Sequence, residues 1–206
     1  MSKIKSLLIA LGAMVPSLSF AYGVGYASYP LQEKKLLLSP EFMGILSEGS
    51  GAGIQGRVTF KPNQPFMVDG GFGAGTGEHS IRLFAGADYE IFPDYEKQPR
   101  ISVKANWEHA REFKQSVNII GITPTVSKGF NFWGHDAYPY IAVPLALGLH
   151  DKTKTYHSRI NLALGMSGKI PEQIQGNQGW VGNIETTFSL KDSYGGFLLS
   201  LGYPLN

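Results

Sequence analysis

The chain has 206 residues, 18 lysines and arginines against 16 acids, 26 glycines and no cysteine. This length fits one domain. The absence of cysteine excludes a disulfide-stapled fold and a lipid-anchored lipoprotein, and the near-balanced charge excludes a nucleic-acid partner, which would need a net basic face.

Lys3 and Lys5 form a short basic start, and Leu7 to Val15 is an apolar run too short to span a bilayer. Ser19-Phe20-Ala21 offers a small-x-small peptidase site. Residues 1–21 therefore read as a signal peptide cleaved before Tyr22. Losing Lys3 and Lys5 leaves sixteen bases and sixteen acids, so the basic excess belongs to the precursor. Residues 22–35, with Tyr22, Tyr26 and Tyr29, read as an irregular N-terminal segment, and 36–206 as a single barrel domain.

Beyond it, turn signals recur every 10 to 20 residues, at Lys61-Pro62-Asn63-Gln64-Pro65, Gly75-Thr76-Gly77, Pro93-Asp94-Tyr95, Gly134-His135-Asp136 and Lys191-Asp192-Ser193. Between them apolar and polar residues alternate with period two, which a strand sends to opposite faces. Residues 54–61 set Ile54, Val58 and Phe60 against Gln55, Arg57, Thr59 and Lys61. Residues 80–91 set Ile81, Leu83 and Tyr89 against Arg82, Asp88 and Glu90, with Phe84 the one large apolar residue on the polar side. Residues 101–108 set Val103 and Trp107 against Lys104 and Glu108. Residues 159–167 set Leu162 and Leu164 against Arg159 and Asn161, and 183–190 set Ile184 and Phe188 against Glu185 and Thr187. Less regular candidates at 36–46, 66–74, 117–133, 138–149 and 196–203 bring the total to about ten strands, with eight as the fallback.

A strand of twelve residues is roughly 36–40 Å long and covers about 28 Å along the membrane normal when tilted by about 40°. Soluble sandwiches use strands of about five or six residues. The expected fold is an all-β, antiparallel, up-and-down transmembrane β-barrel. Its lumen would hold the mixed charges Arg57, Arg82, Asp88, Lys104, Glu108, Arg159 and Glu185, which can pair across a narrow interior. Ile81, Leu83, Leu162 and Leu164 would face lipid. Phe60, Tyr89, Trp107, Trp180, Phe188 and Tyr203 would form aromatic girdles near the strand ends. With an even strand number both chain ends lie in the periplasm. The longest connection, 168–179, then falls on the periplasmic side, whereas long loops normally lie outside.

The last strand, Tyr194 to Tyr203, alternates Phe197, Leu199, Leu201 and Tyr203 outward. It resembles the C-terminal targeting strand of bacterial outer-membrane β-barrels at Tyr194, Gly196, Leu199 and Leu201, although the chain continues with Pro204-Leu205-Asn206 where that family ends on an aromatic. The resemblance implies an outer-membrane location in a Gram-negative cell and recognition by the barrel assembly machinery. The mature size and Gly-rich hairpins also resemble the ring-forming, lipid-holding porin-like proteins of predatory bacteria, which implies a homo-oligomer and membrane lipid as a partner.

Enzymatic arrangements fail on strand geometry. His157 and Ser158 are adjacent, so a regular strand sends them to opposite faces, out of reach for a nucleophile and its base. Glu108 and His109 split in the same way, and the stretch through Glu112 and Lys114 reads as a charged strand end or loop. No metal-ligand spacing is present. The expectation is no catalytic site, no cofactor and no metal. The expected function is that of a small porin-like barrel with a structural or passive transport role. Its alternatives are an oligomer that holds membrane lipid and a soluble, lipocalin-like periplasmic carrier with its oily face inside.

Overall fold

A computed structural model describes residues 23–46, 51–76, 79–112, 115–132, 135–150, 155–171, 179–193 and 195–205. Residues 1–22, which include the expected signal peptide, Tyr194 and most of the 168–179 connection lie outside the described residues. Twelve strands form one antiparallel sheet: β1 (Leu36–Ile45), β2 (Gly51–Asn63), β3 (Phe66–Gly75), β4 (His79–Phe92), β5 (Arg100–Glu112), β6 (Gln115–Ser127), β7 (Phe130–Phe132), β8 (His135–Ala142), β9 (Leu145–His150), β10 (Tyr156–Lys169), β11 (Val181–Lys191) and β12 (Gly196–Leu205).

β1 to β6 pair in chain order, as do β9 to β12, and β12 pairs with β1 from Leu36 opposite Leu205 to Ile45 opposite Gly196. The sheet is therefore closed. β8 and β9 both lie between β6 and β10 and act as one wall strand. Pro144 separates them, because it has no N–H to give to the ladder. The break is mended locally: Val143 N donates to Pro124 O at 3.1 Å and Asn161 N to Pro144 O at 3.0 Å. The short β7 extends the hairpin past one rim, so the barrel wall has ten strands. This is the count expected from the alternation. The strand that begins at residue 100 runs on to Glu112, past the end at 108 read from the sequence, because Glu108 to Glu112 stay paired with β6. Ser158 is likewise a strand residue, opposite Leu147.

The two faces are reversed relative to a soluble barrel. Outward side chains are large and apolar, among them Ile54 (68% exposed), Phe72 (73%), Ile81 and Ile120. Inward side chains are mostly polar or charged, and Arg57 is 1% exposed. A lipocalin-like carrier would show the opposite arrangement. Aromatic pairs mark the rim that holds the strand termini: Phe66 lies against Tyr89, and Trp180 against Tyr203. Trp107 faces outward but sits mid-strand between Ala85 and Ile120, so it belongs to the middle of the oily band and not to a girdle. Ile120 also lies at mid-strand. Ile120→Arg is expected to cost about 2–4 kcal/mol, the penalty for a cation at the bilayer midplane. Leu83→Arg, nearer a rim and beside His109, should cost less. Urea unfolding from phospholipid vesicles measures both.

Candidate functional site: the occupied lumen

Residues 23–31 form no strand. They lie inside the barrel, where Val24, Tyr26, Ala27, Ser28 and Leu31 are buried. Together with the wall residues Leu37, Met67, Tyr140, Ala142, Ala163 and Val181 they make an apolar core within an otherwise polar lumen. We refer to this segment as the plug.

An irregular segment has no ladder partners, so its buried backbone groups need others. The lumenal charges supply them. Val24 N and Gly25 N donate to the Glu185 carboxylate on β11, at 3.1 and 3.3 Å. The Arg57 guanidinium donates to Gly23 O, and the Lys104 ammonium to Val24 O, both at 3.3 Å. The Tyr26 hydroxyl donates to Val181 O and accepts from Ser200 Oγ, and Ser28 Oγ lies 2.8 Å from Ser167 Oγ. Burial pushes the Tyr26 phenol up to about 12, so it remains a neutral donor.

Behind these contacts runs one continuous polar network. Lys104 Nζ reaches Asp69 at 2.7 Å, and Asp69 also pairs with Arg57. Arg57 Nε holds Glu41 at 2.8 Å, and Glu41 accepts from the Gln55 amide. Arg82 donates to Gln55 and forms an ion pair with Glu108 at 2.7 Å. The Phe84 ring lies beneath two guanidinium groups, 4.8 Å from Arg57 and 5.4 Å from Arg82. A cation over a desolvated aromatic face is favourable, which accounts for an aromatic on the polar side of β4. Nearer the terminus-side rim, Arg100 holds Asp88 at 2.7 Å and Glu90 at 2.6 Å.

Two glycines make room for this packing. Gly25 has φ +70°, a conformation costly for other residues, and a Cβ there would lie 2.8 Å from the Arg57 guanidinium. A Cβ at Gly165 would lie 2.3 Å from the Tyr140 ring, whose hydroxyl donates to Glu185 at 2.7 Å.

The structure places Arg57, Arg82, Asp88, Lys104, Glu108, Arg159 and Glu185 inside the wall, all buried. All but Arg159 take part in the contacts just described. Arg159 lies against Gly148 on the neighbouring strand β9. Ile81, Leu83, Tyr89, Trp107, Leu164, Phe188 and Tyr203 are exposed on the outside, and Leu162 and Trp180 are half-buried. Sequence reasoning did not single out Glu41, Asp69, Arg100 or Tyr140. Asp88 and Glu90, two residues apart on one strand face, both bind Arg100. His109 faces outward with Nδ1 2.9 Å from Asn118 Oδ1, while Glu108 faces inward. The physical effect of the arrangement is to fill the barrel's interior with the chain's own backbone.

No family model and no curated protein matches the chain. Among solved structures it is similar to a KdgM porin, at 12% identity and TM-score 0.39, covering 84% of this chain and 99% of that one. It is also similar to Ail, the attachment invasion locus protein of Yersinia pestis, at 13% identity and TM-score 0.29, covering 84% of this chain and all of that one.

Proposed function

We propose that the protein is a small porin-like barrel of the Gram-negative outer membrane, held closed by its own N-terminal segment. The observation that carries this reading is the reversed polarity: an oily exterior around a lumen of paired charges that grips residues 23–31. Open sheet edges and unpaired backbone are excluded from hydrocarbon, and a closed barrel satisfies that demand. The role is structural or passive, with any conduction dependent on plug displacement. Planar-bilayer recording of the mature chain, with and without residues 23–31, tests it. The full chain should stay closed and the truncated chain should conduct. Equal conductance of the two would refute the plug.

Topology follows from the same reading. Both strand termini, Leu36 and Leu205, meet at one rim, which we place in the periplasm. The turns at 64–65 and 93–99 share that rim, as does the connection from β10 to β11. A protease site inserted at Lys97 should therefore resist protease added to intact cells and be cut in spheroplasts. Recognition of β12 by the assembly machinery is part of the proposal, with Leu199 and Leu201 exposed for it.

A second reading is a homo-oligomer that retains membrane lipid. It is favoured by an apolar groove of about 910 Å³ on the outer face, where Phe42, Ile54, Phe72 and Leu201 surround Gly56. A Cβ at Gly56 would meet nothing within 4 Å. Native mass spectrometry from mild detergent decides this. A single-subunit mass without lipid would remove the reading.

A further inference from the structure

The oily outer face is interrupted near the rim opposite the strand termini, where β5 and β6 meet. Along β4, β5, β6, β9 and β10, the outward positions among the described residues carry one formal charge, that of Arg111. It is exposed and makes no ion pair among the described residues. The register sets Arg111 opposite Ser116 and His109 opposite Asn118. These four alternate with the inward Glu108, Ala110 and Val117, so they face the membrane side. Their outward neighbours across the sheet are apolar: Leu83 lies opposite His109, and Leu149 opposite Asn118. Opposed side chains start about 5 Å apart and successive outward residues about 7 Å apart, so a single phosphate group fits among the four. Toward mid-strand lies an apolar groove of about 480 Å³, lined by Ile120, Ile122, Leu145, Leu147 and Ile160. Asn118 and Ile120 are two residues apart on one face of β6, so the polar patch runs directly into the groove.

We propose that the patch and the groove together bind one phosphorylated lipid, with its headgroup phosphate on Arg111 and an acyl chain in the groove. The guanidinium fork suits phosphate oxygens, and Ser116 adds a hydroxyl donor. Asn118 Oδ1 accepts from His109 Nδ1 at 2.9 Å, which leaves the other ring nitrogen to take up a proton beside an anion. A phosphate monoester carries a charge of about −1.5 to −2, which Arg111 and His109 can match. A lone cation at the edge of the hydrocarbon is costly, and a lipid phosphate removes that cost. Free phosphate would use the patch alone, whereas the adjoining groove selects a lipid. On the topology proposed above this rim lies in the outer leaflet, and the ligand class there is a phosphorylated glycolipid. The leaflet rests on that topology, whereas the site rests on the four polar residues and the groove.

The test uses the purified mature barrel in non-ionic detergent, with diphosphoryl lipid A as probe and dephosphorylated lipid A and inorganic phosphate as controls. Native mass spectrometry across a lipid titration reports binding, and heat-modifiable gel mobility reports folding. We expect saturable binding of lipid A to the native chain, largely retained in Arg111→Lys and roughly tenfold weaker in Arg111→Gln, as loss of a charge-assisted hydrogen bond implies. His109→Gln keeps the guanidinium, should weaken lipid A by roughly threefold, and stands in if Arg111→Gln does not fold. Leu147→Trp fills the groove, leaves the patch intact and should also weaken lipid A. Equal binding by the native chain and the neutral variants would overturn the proposal, as would equal affinity for the dephosphorylated lipid or no saturable binding. Inorganic phosphate that displaces lipid A at equal concentration would overturn the choice of a lipid. A barrel that folds into vesicles yet shows no phosphate-dependent binding would remove this site alone. A mature chain that stays soluble without detergent would remove the membrane-barrel reading instead.

Discussion

Replacing Arg57 with alanine is expected to lower the barrel's stability by about 3–5 kcal/mol, the cost of stripping one partner from a buried ion network. Both Arg57 and Glu41 have side chains fully withdrawn from solvent, and Asp69 is nearly so. Without the guanidinium, Glu41 is left with the Gln55 amide and Asp69 loses one of its cations while keeping Lys104. The Phe84 ring loses one of its two cations, and Gly23 O loses its donor. Arg57→Lys should cost less but still measurably, because one ammonium cannot reproduce the planar fork that reaches Glu41, Asp69 and Gly23 together. Urea unfolding from vesicles, followed by tryptophan fluorescence, measures both. A loss below about 1 kcal/mol for Arg57→Ala would mean that these carboxylates are hydrated, as at an exposed pair.

The second large effect is expected at Gly25. Valine there meets two obstacles: a backbone at φ +70° and a Cβ pressed to 2.8 Å from Arg57. The left-handed conformation alone costs about 1–2 kcal/mol for a residue with a Cβ. Every contact of Gly25 is with the lumen and none belongs to the sheet ladder, so the strain should fall on the plug. Hydrogen exchange of residues 23–31 should speed up by about tenfold or more, since about 1.4 kcal/mol is a factor of ten. Amides of β1 to β12 should keep their protection. Faster exchange throughout the sheet would mean that the plug is part of the barrel's folding unit.

The wall was legible in the sequence because each strand meets two different solvents, and a period of two records both. Ser80 to Ile91 shows this most plainly. Phe84, the residue that broke its pattern, is the ring beneath Arg57 and Arg82. The lumen was less legible where inward residues are not polar or the chain bends. β1 turns Leu37 and Met43 inward, which hides Glu41. β3 carries Gly70, Gly71, Gly73 and Gly75 beside Asp69, so no alternation marks that acid. A Cβ at Gly71 would lie 2.7 Å from the Phe84 ring, so its small size belongs to the packing of the interior. Tyr140 lies on a wall strand that Pro144 interrupts.

The plug left almost no trace. Residues 23–33 have no periodicity because they pair with no ladder. Their partners are far away in sequence: Val24 meets Glu185, 161 residues on. The three tyrosines were visible, but only the fold gives Tyr26 its two hydrogen bonds inside a barrel. Local pattern cannot encode a contact made by threading one segment through a closed sheet, because that placement exists only once the sheet has closed.

The central claim, that the N-terminal segment occupies the lumen, is tested most directly by one engineered disulfide. Ser28 Oγ on the plug and Ser167 Oγ on β10 are 2.8 Å apart, and the native chain has no cysteine to compete. Ser28→Cys combined with Ser167→Cys brings two thiols within bonding reach. Oxidation of the membrane-embedded double variant with an added oxidant should give an intramolecular disulfide, visible as a mass lower by two hydrogen atoms and as protection from maleimide. Two free thiols that a bulky, water-soluble maleimide labels to completion would contradict the plugged barrel.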